Sequence, residues 1–149
     1  MFTVSGREPS RDLTHDQLWL GLLSKAEDPV PFVRAITRCR VTDRGADWLV
    51  REILLRGDRV VERVTFHPRE SEVRFERLSG PVLGTITNRV EGDDGGGLAL
   101  RFTFALEVTG IPPGSREESE YAERMRDSYL DAIRTTIDRT RVRFGRWIA

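Results

Sequence analysis

Three polar residues, Arg51, Glu62 and Asn88, fall on strand faces whose other members are apolar. A guanidinium, a carboxylate and a carboxamide aimed into one space can orient a ligand carbonyl, carboxylate or hydroxyl. A carboxylate on such a wall can also exchange a proton. Glu62 is therefore the leading acid–base candidate, and no other catalytic group is assigned. Apolar surroundings would push its pKa up, whereas a close Arg51 would push it down. The alternative is purely structural: Arg51 and Glu62 satisfy each other as a buried ion pair, and Asn88 bonds to neighbouring backbone. An unpaired charge in an apolar interior costs several kcal/mol. The two charges must therefore pair or meet water in a cavity.

Around these three stand the aromatic residues Phe75, Phe102 and Phe104 on strands. Met125 and Tyr129 lie on the inner stripe of a long helix. Met125 suits a pliable apolar contact, and Tyr129 can donate a proton or orient a ligand.

Other chemistry-bearing residues read as ordinary. His15 opens a helix and His67 ends a strand before Pro68, and neither has a partner at metal-ligand spacing. Asp93-Asp94 before three glycines lacks the spacing of a calcium loop and does not lead from a strand into a helix, so it reads as a hairpin turn. Ser5, Ser10 and Ser24 lack a nucleophile-elbow context. Cys39 is alone, which excludes a disulfide framework within the chain, fits a reducing compartment and suits a small core residue. No metal and no cofactor are implied.

The elements that must position these groups follow from periodicity. Thr14 and Gln17 form a capping box for a helix beginning near His15, with Leu13 and Leu18 as the staple. Leu18-Trp19, Leu22-Leu23 and Ala26 recur at helical spacing, and Asp28-Pro29 ends the run. A short helical turn is expected at Phe32–Ile36. Strands are expected at Thr37–Val41, Asp47–Leu55, Val60–His67, Glu72–Leu78, Leu83–Val90 and Leu98–Thr109. In the last, Leu98, Leu100, Phe102, Phe104, Leu106 and Val108 share one face, the mark of a half-buried antiparallel strand. A helix from Arg116 to about Arg143 follows, capped by Ser115 and Glu118. Its acidic start and basic end complement the helix dipole. Its inner stripe is Ala122, Met125, Tyr129, Ile133, Thr136 and Thr140, flanked by Leu130 and Ile137. Phe144, Trp147 and Ile148 are expected to anchor the tail.

A two-residue turn at Gly57-Asp58 would pair Leu55 with Val60, Ile53 with Glu62 and Arg51 with Val64. The face holding Leu49, Arg51, Ile53, Leu55, Val60, Glu62, Val64 and Phe66 is then the inner one, with Arg51 and Glu62 on a diagonal. Glu52 and Arg63 oppose each other outside. Val73 and Phe75 point inward, with Arg77 following near the strand end. Asn88 shares a face with Gly84, Ile86 and Val90.

The chain has 149 residues, with 24 basic and 24 acidic side chains. That is one domain, 1–149, large enough to bury a core. Zero net charge gives no global attraction to nucleic acid or to an anionic membrane. No apolar run is long enough to span a bilayer, and MFTVSGREPS is too polar for a signal peptide. A cytoplasmic location follows by elimination. Lys25 is the only lysine, so nearly all positive charge is arginine. A GC-rich coding bias accounts for that; bidentate recognition can apply only at particular positions.

The segments LTHDQLWLGLLSKAEDPVPFVRAITRCRV, LVREILLRGDRVVERVTFHP, VRFER, ITNRV and LRFTFALEV resemble the AtaL-like family of the SRPBCC superfamily, which includes START and birch-pollen-allergen-like domains. The resemblance runs from Leu13 to the final helix. It implies an α+β helix-grip fold: a curved antiparallel sheet wrapped around a long C-terminal helix, with one or two short N-terminal helices. Such folds enclose an apolar cavity, and relatives bind lipids, sterols, polyketides or hormones or catalyse cyclisation or dehydration. Some AtaL-like members are encoded in secondary-metabolite clusters. The family supplies no agreed catalytic set.

Three readings stand. The first is binding of a small hydrophobic or amphipathic molecule, with no nucleic-acid or membrane partner and a homodimer left open. The second is a polyketide cyclase- or dehydratase-like enzyme using Glu62, Arg51 and Tyr129. The third is a structural or interaction domain whose cavity is filled by its own side chains.

Overall fold

The computed structural model describes residues 1–145. One antiparallel sheet of seven strands carries the architecture: β1 (Phe2–Ser10), β2 (Ile36–Arg44), β3 (Trp48–Leu55), β4 (Asp58–His67), β5 (Glu72–Arg77), β6 (Val82–Gly92) and β7 (Leu98–Val108). The spatial order is β1-β7-β6-β5-β4-β3-β2. Helix α1 (His15–Glu27) lies between β1 and β2 in sequence, and α2 (Arg116–Phe144) follows β7. This is the helix-grip arrangement.

Helix α1 starts where its sequence dictates. The Thr14 side chain accepts from the Gln17 amide, and the Gln17 side chain accepts from the Thr14 amide. Leu13, Leu18, Leu22 and Ala26 are buried. In α2 the Ser115 side chain accepts from the Glu118 amide, while the Glu118 carboxylate reaches past it to the Gly114 amide. Tyr129, Ile133, Thr136, Ile137 and Thr140 form the buried stripe of α2. Tyr129, Ile133 and Ile137 share a core with Leu100, Phe102, Phe104 and Leu106 of β7, and Thr140 lies against Gly21 of α1.

Several expectations are corrected. The polar opening segment is a strand, β1, paired along β7 from Phe2↔Leu106 to Ser10↔Leu98. Its apolar alternation stops after Val4 because Gly6 is where Leu130 of α2 comes down on the strand. Pro9 is tolerated because β1 is an edge. No helical turn forms at Phe32–Ile36; the chain makes two successive turns, with Phe32 and Val33 amides donating to Pro29 and the Ile36 amide to Val33. Strand β2 runs longer than expected and is broken by register shifts at Ile36/Arg38 and Val41/Asp43. Of the expected tail anchor, Phe144 is half-buried and its carbonyl accepts from Gln17. Trp147 and Ile148 lie outside the described residues.

The β3–β4 hairpin turns at Arg56-Gly57, one residue earlier than expected. Both residues have positive φ, 51° and 85°, the backbone a tight two-residue hairpin turn demands. The pairing therefore slips by two: Leu55 meets Asp58, Ile53 meets Val60 and Arg51 meets Glu62. A slip of two leaves every side chain on its expected face, and Leu49, Arg51, Ile53, Val60, Glu62 and Val64 are all buried. Outside, the slip separates Glu52 from Arg63. Glu52 pairs with Arg59 at 2.8 Å, and Arg63 lies over the Trp48 ring.

Candidate functional site

Between the inner face of the sheet and the N-terminal half of α2 lies a cavity of about 470 Å³. Its apolar walls come from Phe75, Ile86, Phe102 and Phe104 on the sheet, Phe32 on the α1–β2 connection, and Met125 and Tyr129 on α2. Tyr129 stacks on Phe104 with ring centres 4.3 Å apart and planes within 10°. Burial, with Tyr121 beside it, pushes the Tyr129 phenol above its ordinary value. It is thus a hydrogen-bond donor at neutral pH and a poor base.

One end of the cavity is polar. Arg51 is 3% exposed and Glu62 2% exposed. Nη2 and Nε of Arg51 donate to Oε1 of Glu62 at 2.7 and 3.0 Å. Arg77 donates to the other carboxylate oxygen at 3.4 Å. Burial alone would raise the Glu62 pKa, but the charges and hydrogen bonds of Arg51 and Arg77 outweigh it and hold the group below its ordinary value. The remaining donor of Arg51, Nη1, reaches the carbonyls of Lys25 and Ala26 at 3.0 and 2.9 Å. Carbonyls in the last turn of a helix lack intrahelical partners and carry partial negative charge. Arg51 therefore ties the end of α1 to the sheet while neutralising Glu62.

Asn88 does not reach the cavity wall. It is fully buried, and its Oδ1 accepts a 2.6 Å bond from Nζ of Lys25. Lys25 takes the place on the wall that face counting gave to Asn88. The other residues chosen from the sequence, Arg51, Glu62, Phe75, Phe102, Phe104, Met125 and Tyr129, line the cavity together.

Face counting on the strands does not reveal Lys25. It is 5% exposed, and its Nζ lies 4.3 Å from the centre of the Phe102 ring and 5.0 Å from that of Phe75. Burial, reinforced by Arg51 and opposed by Glu62, lowers its pKa from 10.5 to about 7. The signal was present in the sequence. Lys25 stands three residues after Leu22 and seven after Leu18, on the apolar stripe of α1, and it is the chain's only lysine.

The remaining polar groups take structural places. His15 shares a 2.7 Å hydrogen bond with Ser71, and His67 one of 3.1 Å with Thr65. Asp93 sits in the β6–β7 turn and pairs with Arg7. Cys39 is half-buried beside Ile36, Ile53 and Val60. Among the described residues no group of three His, Cys, Asp or Glu side chains is placed to hold a metal ion. No helix among them is long and apolar enough to cross a membrane.

The profile of the family described as AtaL, acetylaranotin biosynthesis cluster protein L, matches residues 2–145. None of the curated proteins matches the chain in sequence. Among solved structures, a protein of Thermus thermophilus superposes with a TM-score of 0.77 at 13% identity, covering 96% of this chain and 99% of its own. The Zhui aromatase/cyclase of a Streptomyces species gives 0.63 at 18% identity, covering 97% and 98%. A START superfamily protein of Mycobacterium smegmatis gives 0.66 at 13% identity, covering 92% and 97%. At these identities the likeness concerns the fold.

Proposed function

The chain belongs to the AtaL family, and on that premise we propose that it binds a small apolar or amphipathic molecule in the cavity between the sheet and α2. The observation that carries this reading is the cavity itself: about 470 Å³, walled by aromatic side chains and polar at one end. Pockets that hold small molecules have this character, an apolar lining with a few placed polar groups. The family's description, a protein of a biosynthesis cluster, supports a ligand from secondary metabolism. The same open volume speaks against a domain filled by its own side chains.

The runner-up is a cyclase- or dehydratase-like enzyme, a reading favoured by the aromatase/cyclase among the fold's neighbours. It relies on Glu62 as acid or base. Glu62 is held by two arginines and kept ionised, which equips it to orient Arg51 and Arg77 rather than to donate a proton. If a turnover is found and Glu62→Gln keeps the full rate, Glu62 is not the acid or base.

A thermal-shift series with aromatic, polyketide-like and fatty-acid ligands tests the binding reading. A ligand at a hundred times its Kd stabilises the folded chain by about 2.7 kcal/mol, or several degrees in Tm. No shift with any apolar ligand overturns it.

A further inference from the structure

Lys25, Arg51 and Arg77 gather around the carboxylate of Glu62 on the cavity wall, which Arg34, Arg56, Asp58 and Asp131 also line. Glu62 is committed on both oxygens, Oε1 to Arg51 and Oε2 to Arg77. Lys25 makes no ion pair among the described residues. Its one hydrogen bond goes to the neutral carboxamide of Asn88, and its other neighbours are the faces of Phe75 and Phe102. An ammonium has three donors, so two remain for whatever enters the cavity. A buried charge without a counter-charge is costly, and ring faces and one amide offset only part of that cost.

We infer that Lys25 is the recognition point for a ligand that carries an acidic oxygen, a carboxylate or an ionised enol or phenol, on an apolar body. This rests on the cavity-binding reading and adds the chemical class of the ligand. The acidic oxygen supplies the counter-charge that Glu62 cannot. The aromatic walls take the rest of the molecule. No covalent bond to the ligand forms; only a proton is gained by the amine. That proton comes from the ligand's own O–H if it enters as the neutral acid, and from solvent if it enters already ionised.

The groups that act on this proton are Arg51 on β3, which disfavours it, and Glu62 on β4, which favours it. Arg77 on β5 adds a third charge at this end of the cavity, and Tyr129 of α2 presents a neutral phenol to the same cavity. Because free Lys25 titrates near pH 7, pairing with an anion raises its pKa and draws in a proton at neutral pH.

The experiment uses two pairs of probes with the full chain: naphthoate against its methyl ester, and pentachlorophenolate against its methyl ether. Titration calorimetry at pH near 7, in buffers of different ionisation enthalpy, gives both affinity and proton uptake. In the wild type the acid binds about tenfold or more tighter than its neutral partner, a gap of roughly 1.4 kcal/mol, with net proton uptake that the neutral partner lacks. In Lys25→Met the acid's advantage disappears. Which pair shows the larger ratio tells a carboxylate site from a phenolate or enolate site. If Lys25→Met does not fold, proton uptake in the wild type decides: equal uptake for acid and neutral partner overturns the inference. So does an acid that binds no tighter than its ester or ether, or an advantage that survives in Lys25→Met. Binding of the neutral partners alone sinks this inference and leaves cavity binding intact; binding of none of the four sinks both.

Discussion

Arg51 and Glu62 stand directly opposite each other on β3 and β4, joined by two hydrogen bonds and both almost fully buried. Removing one partner of such a pair strands the other charge, at about 3–5 kcal/mol. Arg51→Met also leaves the carbonyls of Lys25 and Ala26 without their donor. Urea unfolding of Arg51→Met, Glu62→Met and the double variant should therefore be strongly non-additive, the double costing much less than the sum of the singles. Additive losses would mean that the two side chains do not stabilise each other.

Stability should rise with pH above neutrality. The folded value of Lys25, about 7, lies below its ordinary 10.5. Between those limits the unfolded chain holds a proton that the folded chain lacks, so unfolding becomes less favourable as pH increases. Below about pH 7 both states are protonated and the burial penalty is complete. Above about pH 10 the raised pKa of Tyr129 works the other way, because the unfolded phenol ionises first. Urea midpoints measured from about pH 7 to about pH 9 should climb in the wild type relative to Lys25→Met, in which the Met1 amine, held above its ordinary value by Glu118, works the other way. A wild-type curve that runs parallel to the variant's would contradict a buried, near-neutral lysine.

Gly84 admits no side chain. Its φ is 130°, and a Cβ there would run into the carbonyl oxygen of Ala105 and sit 3.0 Å from Cα of Leu106, both backbone atoms of β7 that cannot step aside. Gly84→Ala should cost about 2 kcal/mol or more, read as a drop of several degrees in Tm. A melting point unchanged from wild type would show that β6 and β7 can part locally.

Met125→Trp should close the cavity. Met125 is only partly buried, on the α2 wall beside Phe104 and Tyr129, so a larger ring has the cavity volume to enter rather than packed core to displace. Affinity for any ligand of the cavity should fall about tenfold or more, roughly 1.4 kcal/mol. The loss of stability should stay below the cost of about 1–3 kcal/mol typical of overpacking. Unchanged affinity would place the binding site elsewhere.

The sequence was most legible where one face of an element is uniformly apolar. The alternation in Leu98–Val108 and the stripe Tyr129, Ile133, Thr136 and Thr140 mark the inner surfaces directly. That in turn exposes Arg51 and Glu62 as exceptions. Their exact pairing was not legible, because the turn could start at Arg56 or at Gly57 and both choices keep the same face. Arg56 adopts φ of 51°, a conformation that arginine does not advertise. β1 was hidden because Gly6 and Pro9 interrupt its pattern for reasons of tertiary packing and edge position. Lys25 was legible in part: its spacing puts it on the apolar stripe of α1, but a charged residue there reads as the boundary of the stripe until its partners on β5, β6 and β7 are seen.

Strand β2 forms one free border of the sheet, and its two register breaks have a consequence for how copies of the chain meet. An even, flat border offers a row of unpaired amides and carbonyls on which a neighbour's strand can grow. Here the row is kinked at Ile36/Arg38 and again at Val41/Asp43, and it carries Arg38, Arg40, Asp43 and Arg44 within nine residues. An incoming strand would lose register twice and bring its own side chains against a line of charge. The sheet is thereby guarded against edge-to-edge growth on the side nearest the cavity's charged end.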